Sequence, residues 1–238
     1  MLVEEVAAAG ATLVGGVCRA GEDASGAKIF PDIGALAEAC ELVIDFTHAS
    51  TVRGHAEALA GASTAWVLGT TGLGPEDEAA ITQAATKIPV IAAPNFSPGV
   101  NLMLALAERL GAALPASAYD AEILEMHHRQ KVDAPSGTAL GIGRAVAAGR
   151  NVALEDVKVS GRDGQTGARK PGEIGFAALR GGQIVGSHTV LFTAANEQIS
   201  LTHHAFDRRI FAAGAVRAAL WLQGRPAGRY GMKDVLAV

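Results

Sequence analysis

Cysteine, aromatic residues, charge and long apolar runs are all scarce in this chain, and each scarcity narrows what the protein can be. Two cysteines in 238 residues, Cys18 and Cys40, give no disulfide framework and no thiol metal cluster. They read as buried small hydrophobes of a protein in a reducing compartment. No apolar run reaches the roughly 20 residues that span a bilayer, and Met1-Leu2-Val3-Glu4-Glu5 lacks the basic start of a secretory signal. A cytoplasmic protein with no membrane partner is expected. The formal net charge of −4 provides no basic field for nucleic acid. Charged residues make up only 18% against 49% hydrophobic, a balance expected where partner subunits cover apolar surface.

What the chain has in quantity is alternation. In the first third, short apolar runs at Leu13–Val17, Leu42–Phe46, Ala65–Gly69 and Val90–Ala93 read as strands, separated by amphipathic stretches that read as helices. Asp32 starts one helix through Cys40, a second lies near Ser50 to Ala60, and Pro75 opens a third ahead of Glu76, Asp77 and Glu78. This is the grammar of a parallel sheet covered on both faces. Ligands of such sheets bind beyond the carboxyl ends of the strands. Those ends carry Asp45-Phe46-Thr47, Gly69-Thr70-Thr71-Gly72 and Ala93-Pro94-Asn95-Phe96-Ser97. Ser97 and Pro98 then begin a helix whose apolar side includes Leu102, Met103, Leu106 and Leu110.

From Tyr119 the grammar changes to strands joined by turns. Gly181-Gly182 separates Ile174–Arg180 from Gln183–Thr193, and Asn196-Glu197 separates that strand from Gln198–Phe206, which predicts hairpins and an antiparallel, α+β second domain. Arg162 to Glu173, rich in glycine and charge, reads as a mobile loop. Asp207 caps a last long helix that ends before Gly224. The expected division is residues 1–97 with 208–238, and 98–207 between them.

The densest chemistry lies in Glu125 to Ala139. An extended run gives out at Met126, and Ser136-Gly137-Thr138 opens a small-residue helix whose unpaired N–H groups can hold a carboxylate or phosphate oxygen. Lys131 and His128 add donors, and His127 can move a proton near neutral pH. Paired histidines beside arginine and lysine are also common in solvated loops. A metal is not expected, because neighbouring strand residues point to opposite faces and no cysteine lies nearby.

Taken together, HHRQKVDAPSGTA (127–139), GTTG (69–72), NFSPGVN (95–101), the Ile174-Gly175-Phe176 to His188 stretch and FAAGAVRAALWL (211–222) resemble the 4-hydroxy-tetrahydrodipicolinate reductase family, formerly dihydrodipicolinate reductase. The resemblance runs in order from about Leu2 to the C-terminus. It implies an α/β protein with a Rossmann-type parallel-sheet domain and an α+β substrate domain with a largely antiparallel sheet. It further implies NADPH or NADH as cofactor, a small cyclic dicarboxylate as substrate, assembly as a homotetramer, and a place in lysine and diaminopimelate synthesis. Position by position, His127 and Lys131 match the proton-handling pair. His128, Gly137 and Thr138 match the substrate-carboxylate contacts. Gly69, Thr70 and Thr71 with Ala93, Pro94, Asn95 and Phe96 match the nicotinamide-side contacts.

Two departures accompany the resemblance. The family opens with a strand and a glycine-rich phosphate loop, whereas this chain begins at Met1 inside the matching first helix, so weak nucleotide binding by the chain as written is an expectation. Where many members carry an acid before an arginine after the second strand, this chain has Cys18-Arg19. Loss of the acid and retention of Arg19 favour a 2′-phosphate, hence NADPH over NADH. Two rival expectations stand beside the reductase: another two-domain amino-acid-pathway dehydrogenase, and a non-enzymatic remnant that only assembles.

Overall fold

The computed structural model of the protein describes residues 1–19 and 26–238, which fall into two units, Met1–Pro98 with Arg209–Ala237 and Gly99–Arg208. In chain order the helices and strands of the first unit are α1 (Leu2–Ala8), α2 (Ile33–Ala39), β1 (Leu42–Asp45), α3 (Val52–Ala62), β2 (Ala65–Leu68), α4 (Pro75–Ala85) and β3 (Pro89–Ala92). Then come α5 (Pro98–Ala113), β4 (Asp120–His127), α6 (Gly137–Gly149), α7 (Leu154–Val157), β5 (Lys158–Ser160), β6 (Ile174–Arg180), β7 (Gly186–Thr193) and β8 (Gln198–Ala205). The chain closes with α8 (Arg209–Leu222), β9 (Gly228–Tyr230) and α9 (Met232–Leu236), which return to the first unit.

The first unit is a parallel sheet in the order β1-β2-β3-β9. Its strands are apolar on both faces because both are covered. Trp66 and Leu68 of β2 pack with Leu36, Leu59 and Ile81, while Ala65 and Val67 pack with Ala215, Ala218 and Leu222 of α8. Local chemistry sets the helix starts. Asp32 accepts from Ala35 N (2.8 Å) at α2, and Asp77 accepts from Gly74 N (2.9 Å) at α4 behind Pro75.

Leu13–Val17 departs from its expected strand. Among the described residues it makes one bridge, Gly16 to Ile29, with Gly16 N donating to Lys28 O and Phe30 N to Gly16 O (2.9 Å each). Leu13, Val14 and Val17 are exposed, and a strand needs both a ladder and a face to bury, neither of which this segment has among the described residues. Cys18 and Cys40 are half-buried rather than fully enclosed.

The second unit is a five-stranded mixed sheet, β5-β6-β4-β7-β8, in which the antiparallel ladders carry more of the pairings. The turn at Asn196-Glu197 joins a true hairpin, β7 to β8. The turn at Gly181-Gly182 does not, because β4 lies between β6 and β7, parallel to the first and antiparallel to the second. The glycine turn therefore crosses two strand spacings, about 10 Å, and bonds to the end of β4 instead: Gly181 N donates to His127 O and Arg129 N to Gly182 O. One face of the sheet, with Ala121, Ile123, Phe176 and Phe192, packs with Ile142 and Val146 of α6.

Helix α5 turns a mixed face to the core, with Leu104 and Leu110 partly buried against it. Val100, Met103, Ala107 and Gly111 are its buried positions, and Leu102 and Leu106 are exposed. Gly111 decides this rotation, since a Cβ there would stand 2.6 Å from Val146 O on α6. The loop after β5 is anchored rather than loose. Arg162 donates to both oxygens of Glu122 (2.9 and 3.0 Å), and Arg169 donates to Asp120, Glu122 and backbone carbonyls. No helix among the described residues is long and apolar enough to cross a membrane.

Candidate active site

Strand β4 alternates faces along its length, so Ala121, Ile123, Glu125 and His127 share the side that packs on α6. Apolar residues fill that side for two turns of the pleat, then an acid and an imidazole take their place at the strand end. Glu125 and His127 are both buried. His127 Nδ1 lies 2.6 Å from Glu125 Oε2. Arg180, at the matching end of β6, donates from Nη1 and Nη2 to the two Glu125 oxygens (2.8 Å each), and Ser136 N donates to Oε1 (3.1 Å). Arg180 also donates to Asp133 O (2.6 Å), tying down the loop that joins β4 to α6.

His188 stands opposite Glu125 across the β4/β7 ladder, hence on the same face. Its ring meets that of His127 edge to face at 5.1 Å, and its Nε2 lies 3.0 Å from Ser136 Oγ. Ser136 Oγ in turn accepts from Ala139 N (3.2 Å) and caps α6. Gly137 is exposed at the helix start, where a Cβ would meet nothing within 4 Å, and Thr138 beside it is half-buried. The start of α6 is thus open at Gly137, and a helix start of this kind is where an anion can be held.

Lys131 and His128 lie on the connecting loop. Lys131 Nζ donates to Asp133 Oδ1 (2.7 Å), and its amide donates to His128 O (3.1 Å). His128 Nε2 lies 3.2 Å from an Arg208 guanidinium nitrogen, and its buried Nδ1 has no hydrogen-bond partner among the described residues.

The electrostatics follow from burial and partners. Burial acts to raise the Glu125 pKa, but the hydrogen bonds from Arg180, His127 and Ser136 outweigh it, and the carboxyl sits below the usual range. Burial pushes His127 down, against the pull of Glu125 and with the push of Lys131 and Arg180. His188, more deeply enclosed, falls to about 4, chiefly from burial and then from His127. The Lys131 hydrogen bond holds Asp133 below the ordinary carboxylate value.

The first unit carries its own polar cluster at the carboxyl ends of its strands. Asp45, buried at the end of β1, accepts from Thr47 N and Oγ1 (2.9 and 2.6 Å), lies 2.8 Å from His55 Nδ1, and accepts from Trp66 Nε1 (3.3 Å). Burial works to raise its pKa, and the bonds from His55 and Thr47 bring it below normal. Next along the edge, Gly69 lies against the Phe46 ring so closely that a Cβ would collide with it. Thr70 is buried, yet its Oγ1 has no hydrogen-bond partner among the described residues. Phe46 meets Phe96 edge to face at 5.6 Å, and Ser97 N donates to Asn95 Oδ1 (2.8 Å). Ala93 is buried and Pro94 exposed. Arg19 is exposed at the end of the Leu13–Val17 segment.

His127 and the α6 start at Gly137 and Thr138 are therefore joined through Glu125 and Ser136, while Lys131 and His128 occupy the loop between. Sequence reasoning passed over Glu125, Arg180 and His188. A signal for Glu125 existed, since residues i and i+2 of a strand share a face. No local signal points to Arg180 or His188, which reach the site only through strand register.

Two family models cover almost the entire chain: "Dihydrodipicolinate reductase, N-terminus" over residues 1–96 and "Dihydrodipicolinate reductase, C-terminus" over residues 99–236. Curated relatives include the 4-hydroxy-tetrahydrodipicolinate reductases of Acidiphilium cryptum, 65% identical over 238 residues, and Granulibacter bethesdensis, 62% identical over 241 residues. Each comparison takes in 100% of this chain and 92% of the relative. Among solved structures, a dipicolinate-bound dihydrodipicolinate reductase from a Paenisporosarcina species superposes with a TM-score of 0.67 at 26% identity, over 87% of this chain and 78% of that one. A DAP dehydrogenase from C. glutamicum shares the fold, with a TM-score of 0.53 at 13% identity over 99% and 92% of the two chains.

Proposed function

This chain belongs to the dihydrodipicolinate reductase family, and from that premise we propose how its residues serve the pyridine-nucleotide-dependent reduction of 4-hydroxy-tetrahydrodipicolinate in lysine and diaminopimelate biosynthesis. The nucleotide, when bound, supplies a hydride. Delivery of that hydride to an unsaturated ring builds negative charge, which an acid close by must neutralise. Lys131 is that acid, held on the loop by its bond to Asp133, and His127 relays the proton through Nε2. The observation that carries this reading is the joining of His127 and the α6 N-terminus through Glu125 and Ser136, which sets proton handling beside an anion cradle.

His128, Gly137 and Thr138 hold the carboxylates of the substrate, a cyclic dicarboxylate. The exposed first turn of α6 supports this, as does the dipicolinate, an aromatic dicarboxylate, bound to the Paenisporosarcina relative. On the first unit, Gly69, Thr70 and Thr71 with Ala93, Pro94, Asn95 and Phe96 contact the nicotinamide side of the nucleotide. The buried, unpartnered Thr70 hydroxyl fits a polar group of such a ligand. Arg19, with Cys18 where an acid would repel a 2′-phosphate, supports NADPH over NADH. Assembly as a homotetramer through the second unit is supported by Phe206 and Leu179, large apolar side chains 89% and 52% exposed. The site of action is the cytoplasm, where reduced nucleotide and free thiols coexist.

The test is nucleotide oxidation by the purified protein across 4-hydroxy-tetrahydrodipicolinate, other small cyclic imines and β-semialdehydes. A rate confined to the first supports the proposal. An equal or faster rate with a β-semialdehyde replaces it with another dehydrogenase, and nucleotide binding without turnover on any of them overturns it.

A further inference from the structure

The acid that organises the second unit's site touches no solvent. Glu125 is 1% exposed, and its four bonds come from three elements: Arg180 of β6 twice, His127 of its own strand, and Ser136 at the head of α6. Arg180 and the Ser136 amide can only donate, and these three charge-assisted or amide bonds favour the ionised carboxylate, which can only accept. Its bond to His127 then puts the proton on Nδ1. That choice leaves Nε2, which has no hydrogen-bond partner among the described residues, as the ring atom through which a proton can come and go. Gly186 keeps space open beside it, since a Cβ there would stand 3.2 Å from Nε2.

We propose that Glu125 is the positioning residue of this site: its buried carboxylate selects the Nδ1–H tautomer of His127 and pins the α6 N-terminus to the end of β4, so that proton relay and anion cradle keep one fixed separation. Arg180 works through Glu125, holding the carboxylate with a two-pronged clamp that a single ammonium cannot reproduce. The same guanidinium, bonded to Asp133 O, links the loop bearing Lys131 to this frame. The inference rests on the reading of His127 as a proton relay, and its test separates the two.

The charged and titratable groups that face His127 are Glu125 on its own strand, Arg180 on β6, His188 on β7 and Lys131 on the loop. In Glu125→Gln the anion is lost while the opposing Arg180 cation stays, so imidazolium is disfavoured and the pH at which His127 titrates moves down. The amide can also turn an N–H toward Nδ1, which drives the proton to Nε2. Nitrogen chemical shifts of labelled histidine read this directly: Nδ1–H at His127 in the parent and Nε2–H in the variant. Turnover should fall by at least about tenfold, and by no more than in His127→Gln.

The double variant Glu125→Gln/Arg180→Gln removes the uncompensated charge and guards against misfolding, with the thermal midpoint as the check. If His127→Gln leaves turnover intact, the relay reading falls and the inference with it. If His127→Gln is impaired while folded Glu125→Gln keeps the Nδ1–H tautomer and parental turnover, the relay stands and the role of Glu125 is overturned. Impairment of both with a tautomer switch in Glu125→Gln or the double variant confirms it.

Discussion

His188 Nε2 lies 3.0 Å from Ser136 Oγ in the interior of the second unit, while the other ring nitrogen of His188, Nδ1, is buried without a partner among the described residues. Ser136 Oγ already accepts from Ala139 N. If Nε2 carries the His188 proton, the orphaned atom is an acceptor, which is cheaper to leave unmet than a donor. The Ser136 hydroxyl is then free to donate toward an anion at the head of α6. A histidine thus serves the site by staying neutral.

That neutrality predicts an acid-sensitive fold. The His188 pKa is depressed from 6.5 to about 4 by burial, so the unfolded chain binds the proton first and stability falls as the pH drops from about 6.5 to about 4. The penalty reaches on the order of 3 kcal/mol once both states are protonated. Urea unfolding of the parent and of His188→Gln across this window measures it. The variant should show a flatter decline, and parallel curves would rule out His188 as the source.

Lys131→Ala should reduce turnover by about two to four orders of magnitude, the range for a lost general acid, with the thermal midpoint nearly unchanged because Lys131 bonds only within its own exposed loop. Steady-state kinetics with saturating nucleotide decide the matter. Parental turnover would show that the proton comes from elsewhere.

Gly186→Ala tests the space beside His127 Nε2. The glycine does not need a positive φ, so alanine fits the backbone, and the added methyl stands 3.2 Å from Nε2 and 3.6 Å from the His188 ring. Turnover should fall by about tenfold or more with a stability loss within about 1–3 kcal/mol, the cost of mild overpacking. A variant that loses stability but keeps its turnover would mean that Nε2 is not the working atom.

Thr70→Val is expected to separate binding from stability on the first unit. The Thr70 hydroxyl is buried and unpartnered, so replacing it with a methyl should leave the thermal midpoint equal or higher. Nucleotide affinity should fall by about tenfold, equivalent to one hydrogen bond of about 1.5 kcal/mol. Calorimetric titration with NADPH and NADH checks this, and unchanged affinity for both would remove Thr70 from the nucleotide contacts.

Local chemistry was legible in the residues themselves. Asp32, Pro75 and Ser136 announce helix starts because capping depends on a few adjacent atoms, and all three helices begin where those residues stand. The parallel sheet of the first unit was readable because strands buried on both faces become continuous apolar runs. The loop from His127 to Thr138 stood out because it concentrates ionisable groups next to a helix start, and its motif, with the others, pointed to the family that the comparisons bear out.

Tertiary structure decided what depends on register and close approach. The insertion of β4 between β6 and β7 leaves no local trace, since a two-glycine turn looks alike whether its strands pair or straddle a third. That insertion brings Arg180 and His188 to either side of Glu125. The buried face of α5 followed Gly111 and its contact with Val146, which keeps Met103 and Leu110 at the core and leaves Leu102 and Leu106 exposed, because backbone contact fixes a helix rotation more strictly than hydrophobic count. Sequence singled out His127, Lys131 and the start of α6. The sheet order supplied the guanidinium that clamps the buried Glu125 carboxylate between them, because a strand's neighbours are chosen by the whole chain and not by its own residues.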